Sequence, residues 1–404
     1  MANTLLTIDK ISSEVLRLAH EKCTFLGTIN RQFDDSWSNE GPTGDTLRIR
    51  LPSQYTRRKG SRIMNVQDSL QQNTVIVRAT QDGVDMRFNS RELALDLDDF
   101  TRIHLEPAVA SMISGIESDV LQGVSKLVFN VAGTAGTPVT SLTALGAARA
   151  KLNQNLAPKD QNRNVQMDSV TMGGLVSGVS AYFNPSNMIS EQFREGFVAR
   201  AGMADFYENE RVWSMTNSST VTASLSTYTI TDGTQSLSVS SFVAANSSVV
   251  VGNVFTITGV YAVHPETKAA YTNLAQFVVL NGTTSTAIST YPIYITGARK
   301  NVANVDGTDL TVANITSAAL TFVGAATTTY IQGLMYHKDA FAFATADLPL
   351  MASAEKCVRK NMDGLSVRVW QAPDIRNDEL LTRIDMLYGY AAIRPQWACR
   401  IIGT

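Results

Sequence analysis

The chain has 404 residues, of which 44% are hydrophobic and 17% charged, and 34 basic against 36 acidic side chains leave a formal net charge of −2. That length gives room for two or three domains with a sizeable core, and the composition excludes broad disorder. A protein whose main work is gripping DNA is normally basic overall, because phosphate neutralisation supplies its non-specific affinity, and this chain is not.

The three cysteines, Cys23, Cys357 and Cys399, are far apart and odd in number. They offer neither a disulfide framework nor the paired spacing of a zinc site, and read as reduced thiols of a chain made in a cytoplasm. The N-terminal run MANTLLTIDKISSEVLRLAHEK has no basic stretch leading into an apolar one, so it does not read as a signal peptide. No run of about 18 uncharged apolar residues suggests a membrane span.

In chain order, Ile8, Ile11, Val15 and Leu18 step by three and four and predict an amphipathic helix over 8–26. A polar connector, DDSWSNEGPTGD, follows. Two strand-like runs, LRIRLP and NTVIVRAT, then predict a hairpin over 45–80. Its distal part, 52–73, has few apolar residues and must project. That part holds YTRRKGSR, with Arg57, Arg58, Lys59 and Arg62 around the turn residue Gly60. The clearest helix lies within 98–130, where Val109, Ile113, Ile116, Val120, Val124 and Leu127 keep a helical step and Pro107 fits the first turn. GTAGTP (133–138) stops it, and further helices are expected at 141–156 and 187–202.

From about residue 214 the composition changes. Between Ser214 and Gln332 the only charges are Asp232, Glu266, Lys268, Arg299, Lys300, Asp306 and Asp309, and short β-rich runs such as VFTITGVYAV, QFVVL and ALTFV dominate. This reads as an all-β barrel or sandwich inserted into an α+β chain. Mixed structure returns after it and ends in a strand pattern across 364–402.

The sequence offers no catalytic motif. The four histidines, His20, His104, His264 and His337, are widely separated and make no local metal-ligand spacing. A phosphate loop, a dinucleotide fingerprint and a nucleophile elbow are all missing, and GGLVSG (173–178) reads as a turn or packing segment. Asp34–Asp35 and Asp98–Asp99 fit exposed turns or helix N-termini better than acid–base pairs. The expectation is a structural or binding protein, not an enzyme, with no cofactor.

Four segments carry a resemblance. The C-terminal run GLSVRVWQAPDIRNDELLTRIDMLYGYAAIRPQWACRI is similar to the end of tailed-bacteriophage coat proteins of the phage P-twenty-two type, through Asp374-Ile375, Asn377-Asp378, Arg383-Ile384-Asp385, Leu387-Tyr388-Gly389 and Arg394-Pro395. LMYHKDAFAFATADLP (334–349), ALGAARAKLNQNLAPKD (144–160) and SEQFREGFVARAGMADFYEN (190–209) resemble other pieces of such coats. The resemblance implies an α+β tailed-phage major capsid fold of the Hong Kong phage ninety-seven kind, with an inserted β-barrel-like domain. On it, the N-terminal arm is 1–44, the extended loop 45–80, and the peripheral domain with its spine helix 81–139. The axial domain takes 140–213 and shares 333–404 with the peripheral domain, and the insertion is 214–332.

The function so implied is a major capsid protein. It would assemble with itself, in hexamers and pentamers, into the icosahedral shell around double-stranded DNA, through a scaffolded procapsid that expands. The implied partners are copies of the chain, a scaffolding protein and a portal, with packaged DNA touched only weakly and non-specifically, a decoration protein as a further option, and no membrane. Its place is the virion capsid, assembled in the host cytoplasm. On that analogy Arg57, Arg58, Lys59 and Arg62 are intersubunit contacts, the other readings being a solvated loop or contact with packaged DNA. Gly41, Gly44, Gly133 and Gly136 are the hinge candidates. The N-terminal helix has three open uses: a neighbouring subunit, a scaffolding protein, or its own core. A β-rich virion surface or receptor-binding protein is the alternative reading of the whole chain.

Overall fold

The computed structural model describes residues 8–32, 46–61, 64, 66–68, 71–89, 104–179, 204–219, 222–225, 230–240, 249–281, 287–310, 317–351, 356–362 and 365–403. Two compact units divide the chain, one of Met1–Ile49, Thr74–Leu121 and Phe341–Ile393, the other of Arg50–Asn73, Gln122–Ala340 and Arg394–Thr404. The helix expected at 187–202, and the pairs Asp34–Asp35 and Asp98–Asp99, lie outside the described residues.

The first unit is built on a six-stranded sheet. Its strands are β1 (Thr46–Leu51), β2 (Gln72–Asn89), β15 (Phe341–Ala346), β16 (Lys356–Met362), β17 (Leu365–Asp374) and β18 (Glu379–Ala392). They run in the order β1-β2-β18-β17-β16, with β15 also on β18. Helix α1 (Ile8–Lys22) lays its stripe on β16 and β17, where Ile11, Val15 and Leu18 are buried together with Leu16 and Ala19. Of the three uses open to this helix, the structure shows the intramolecular one.

The chain after α1 is tied down in two places. Asn30 bridges Ala342 of β15 in parallel. The fully buried Glu117 side chain accepts the backbone N–H groups of Thr24 (2.8 Å), Phe25 and Leu26 (3.3 Å) and the Thr24 hydroxyl. Glu117 sits on α2 (Glu106–Leu127), the long helix read from the sequence. Val109, Ile113, Ile116, Val120 and Val124 are buried as the periodicity requires, and Pro107 occupies the first turn, where its missing N–H costs nothing. At 1.5 Å per residue, the 22 residues span roughly 33 Å.

The second unit carries two sheets. One has the order β3-β19-β14-β4-β5, from β3 (Val131–Ala132), β4 (Arg163–Met167), β5 (Asp205–Glu208), β14 (Thr329–His337) and β19 (Ala398–Ile402), with β6 (Ser214–Thr216) pairing β14. Helix α3 (Leu142–Gln154) buries Leu145, Ala148 and Leu152 in the same cluster as Val165, Met335 and Ile401, and Ser141 caps its N-terminus. The Gly-rich segment 173–178 is helical, inside α4 (Ser169–Val179), and not a turn. Its packing role is clear at Gly178, where the space a Cβ would need is filled by the Thr140 carbonyl.

The β-rich segment forms a sheet of its own between Thr222 and Phe322. It comprises β7 (Thr222–Leu225), β8 (Thr234–Ser240), β9 (Val254–Val263), β10 (Ala270–Val278), β11 (Ala287–Ile293), β12 (Val302–Ala303) and β13 (Ala319–Phe322). The order is β10-β9-β13-β7-β8-β11, with β12 on β9. The two ends of that path meet where Asn281 bridges Ser289, so the sheet curls back on itself in the manner of a barrel. At its centre Phe255 stacks on Phe277 and meets Phe322 at a tilt, with ring centroids 5.6 and 5.4 Å apart. A low-charge Ser/Thr/Val sequence suits this sheet: alternate residues fill the core, and the outward ones need only be small and polar. Val254 and Val278 also share a cluster with Val131, Tyr330 and Ile402, which joins the curled sheet to the β3–β19–β14 layer.

Candidate intersubunit site at the hairpin tip

Strands β1 and β2 carry the loop 52–71 between them, and the basic tip sits on it. Arg57, Arg58 and Lys59 are exposed, and Gly60 turns the chain at φ +107°, a conformation that an L side chain rarely adopts. Arg62 lies outside the described residues. The loop is braced by a contact the sequence did not advertise. The Gln67 side chain accepts the N–H of Thr56 at 2.7 Å and donates to its carbonyl at 2.8 Å. One amide thus copies both bonds of a strand pair and closes the tip at its neck.

The tip is more than cationic. Tyr55, Met64 and Val66 are 57%, 81% and 79% exposed. Large apolar side chains among cations suit a contact surface better than a solvated loop. The sequence signal was present in the alternation Met64–Val66, but a charge-first reading passed over it.

Charge is strongly segregated. From Thr46 to Gln67 there are six cations, Arg48, Arg50, Arg57, Arg58, Lys59 and Arg62, and no carboxylate. With a chain total of −2, the remaining residues carry −8.

The root of the hairpin is held across β2 and β18. Arg383 pairs in register with Asp85 and grips it with two hydrogen bonds, of 2.7 and 3.0 Å. These bonds hold the Asp85 carboxyl below its ordinary range. One step along, Asp385 is buried and accepts from Arg368 (Nε, 2.9 Å) and from Gln81 (2.7 Å). Both guanidinium groups lie over the Trp370 ring, at 5.4 and 5.8 Å. Arg383 and Asp385 belong to a segment singled out in the sequence by its resemblance alone, and here they fasten β18 to the strand that leads out to the tip.

Of the hinge candidates, Gly41 and Gly44 lie outside the described residues. Gly133 and Gly136 take positive φ values of 92° and 78° in a turn fastened by the Gly136 N–H to the Gly403 carbonyl. Among the described residues no group of three or more His, Cys, Asp or Glu side chains could hold a metal ion, and no helix is long and apolar enough to cross a membrane.

A hairpin with an exposed cationic tip, rooted by ion pairs across β2 and β18, is equipped for contact with other proteins. The model of the P22 coat protein family (P22 coat protein, gene protein 5) matches residues 186–403, more than half of the chain, and the chain belongs to that family. It is a bacteriophage capsid shell protein, and this decides against the surface or receptor-binding alternative. No curated protein matches the sequence.

Among solved structures, the chain is similar to one described as Mycobacterium phage Che8 (TM-score 0.49, 10% identity, covering 94% of this chain and 90% of that one). Others are the capsid of the cyanophage P-SCSP1u (0.45, 11%, 90% and 84%) and the mature capsid of bacteriophage PhiM1 (0.43, 11%, 89% and 82%). The family assignment rests on the sequence match.

Proposed function

We propose that the chain is the major capsid subunit of a tailed phage and that its hairpin tip docks on a neighbouring copy during assembly of the shell around double-stranded DNA. The observation that carries this is the charge segregation: four cations on a braced tip and two more, Arg48 and Arg50, on the strand β1 that leads to it, against a net −8 on the rest of the same chain. A second copy therefore offers the complementary surface. Each exposed ion pair contributes only about 0–1 kcal/mol, but the contact repeats in every subunit, and weak contacts let misplaced subunits leave. Tyr55, Met64 and Val66 would add apolar area to the same contact.

In this reading the shell forms as a scaffolded procapsid and expands, with the Hong Kong phage ninety-seven fold and the domain boundaries given above. Gly133 and Gly136 serve as one joint of that expansion. Hydrogen exchange equal at 133–137 before and after expansion would remove them from that role.

The decisive experiment replaces Arg57, Arg58 and Lys59 by Ala and examines the fast-sedimenting fraction by negative-stain electron microscopy, with the scaffold-like gene co-expressed. The triple variant should keep its circular dichroism spectrum and thermal midpoint but lose most closed shells. Shells at normal yield would sink the docking proposal, while shells from the unaltered chain would still support the capsid assignment.

A further inference from the structure

The curled β sheet reaches back to the stretch that follows the long helix. Tyr291, on β11, donates its hydroxyl to the Leu127 carbonyl at 3.1 Å. Leu127 is the last residue of α2, so that carbonyl has no partner inside the helix. The Tyr291 ring also meets Phe129 edge-on, with centroids 6.0 Å apart. Farther along, Gln276 of β10 accepts the Val131 N–H at 3.0 Å and donates to the Val131 carbonyl at 3.2 Å.

Both ends of that amide contact follow from strand geometry. In β10, Ala275 and Phe277 turn into the core of the curled sheet, so Gln276 and Val278 emerge on its other face. β3 is the edge strand of its layer, paired in parallel with β19. That pairing uses the Asn130 carbonyl, which accepts the Arg400 N–H at 2.8 Å, and it leaves both backbone groups of Val131 on the outer side. Gln276 meets them there as a one-residue strand. Around it, Val254 and Val278 of the curled sheet share a cluster with Val131 and Ile402, and Phe129 and Ala135 pack against that cluster. The stretch 127–135 is thus held by β19 from one side and by the curled sheet from the other.

We propose that the curled sheet is a strap over this stretch, and that it locks the adjoining turn, with Gly133 and Gly136, in its present arrangement. The turn is tied by the Gly136 N–H to the Gly403 carbonyl and by the Thr137 N–H to the Thr134 carbonyl, each at 3.1 Å. Both glycines take positive φ, and without a Cβ they can pass to conformations closed to other residues once the flank is released. The flank is what Gln276 and Tyr291 hold. The strap is a set of contacts within one chain and stands whether or not the hairpin tip docks on a neighbour. Its bearing on shell expansion rests on the reading of 133–137 as a joint.

The test is hydrogen exchange on the full-length chain, comparing Gln276→Ala and Tyr291→Phe with the unaltered protein. Gln276→Ala should speed exchange across 132–137 on the order of tenfold. Gln276 bonds Val131 and none of those amides, so a merely local effect would free the Val131 N–H alone. Tyr291→Phe keeps the ring on Phe129 and should speed the same stretch about threefold. Peptides of β4 and β8 should keep their rates, which separates release of the strap from general unfolding. Unchanged exchange at 132–137 in Gln276→Ala would overturn the strap, as would an equal acceleration in β4 and β8. On assembled shells, Gln276→Ala should lower the temperature of expansion. Faster exchange with an unaltered expansion temperature would support the strap and count against 133–137 as an expansion joint.

Discussion

Arg400 is a costly residue where it stands. It is fully buried on β19, and its Nε and Nη2 have no hydrogen-bond partner among the described residues. Its contacts are the Met215 sulfur, 3.9 Å from Nη1, and the Trp213 ring, 5.8 Å from the guanidinium carbon. Burial pushes its pKa down to about 9. Because an unpaired buried cation loses its hydration without a compensating charge, Arg400→Met should raise stability by about 1–4 kcal/mol, read as a higher denaturation midpoint. A lower midpoint would show that the ring and sulfur contacts more than offset the desolvation. Glu117 is the opposite case, a buried carboxylate whose acceptor capacity is used by three backbone N–H groups and a hydroxyl. Glu117→Gln keeps one oxygen for the three N–H groups but removes the charge that strengthens those bonds, and should cost about 1–3 kcal/mol, with faster hydrogen exchange confined to 24–28. Exchange spread evenly over the first unit would instead indicate general destabilisation.

At the scale of elements, the hairpin is a stiff arm with a charged end. Its root depends on the Arg383–Asp85 pair, which lies on the surface and is worth correspondingly little. Asp85→Asn should cost about 0.2–1 kcal/mol at neutral pH. The sign of its pH dependence follows from the depressed carboxyl. The contribution is fully present above the ordinary carboxylate range and is lost as pH falls through the lower folded value. The stability difference between the unaltered chain and Asp85→Asn should therefore vanish in strong acid. A difference that persists there would assign the effect to packing. The tip depends on Gln67. Gln67→Ala should leave the thermal midpoint almost unchanged and still reduce shell yield, since it loosens the neck of the tip and touches nothing in a core.

At the scale of the molecule, two compact units divide the work. One holds the hairpin root, the N-terminal helix and most of the long helix around a single sheet. The other holds the hairpin tip, the curled β sheet and the β3–β19–β14 layer. The exposed tip cations hold no core of either unit together. The assembly defect of the tip triple variant should accordingly be independent of stability. Combining it with Arg400→Met should raise the midpoint and leave shell yield low. Recovery of shells in the combined variant would mean that the tip cations act through folding.

The sequence by itself determined the elements whose signal is local. The stripe Val109–Ile113–Ile116–Val120–Val124 specified a helix, Pro107 marked its first turn, and the low-charge run after residue 214 specified strands, because periodicity and propensity act within a few residues. It also showed the basic tip, since four cations around one glycine need no fold to be seen. Only the tertiary structure decided which distant side chains meet. Glu117 lies 93 residues from Thr24, and Asp160 lies 177 from His337. Neither pair leaves a trace in local spacing. The same holds for the N-terminal helix: its amphipathic face declared that something would cover it, and only the fold showed that β16 and β17 of its own chain do.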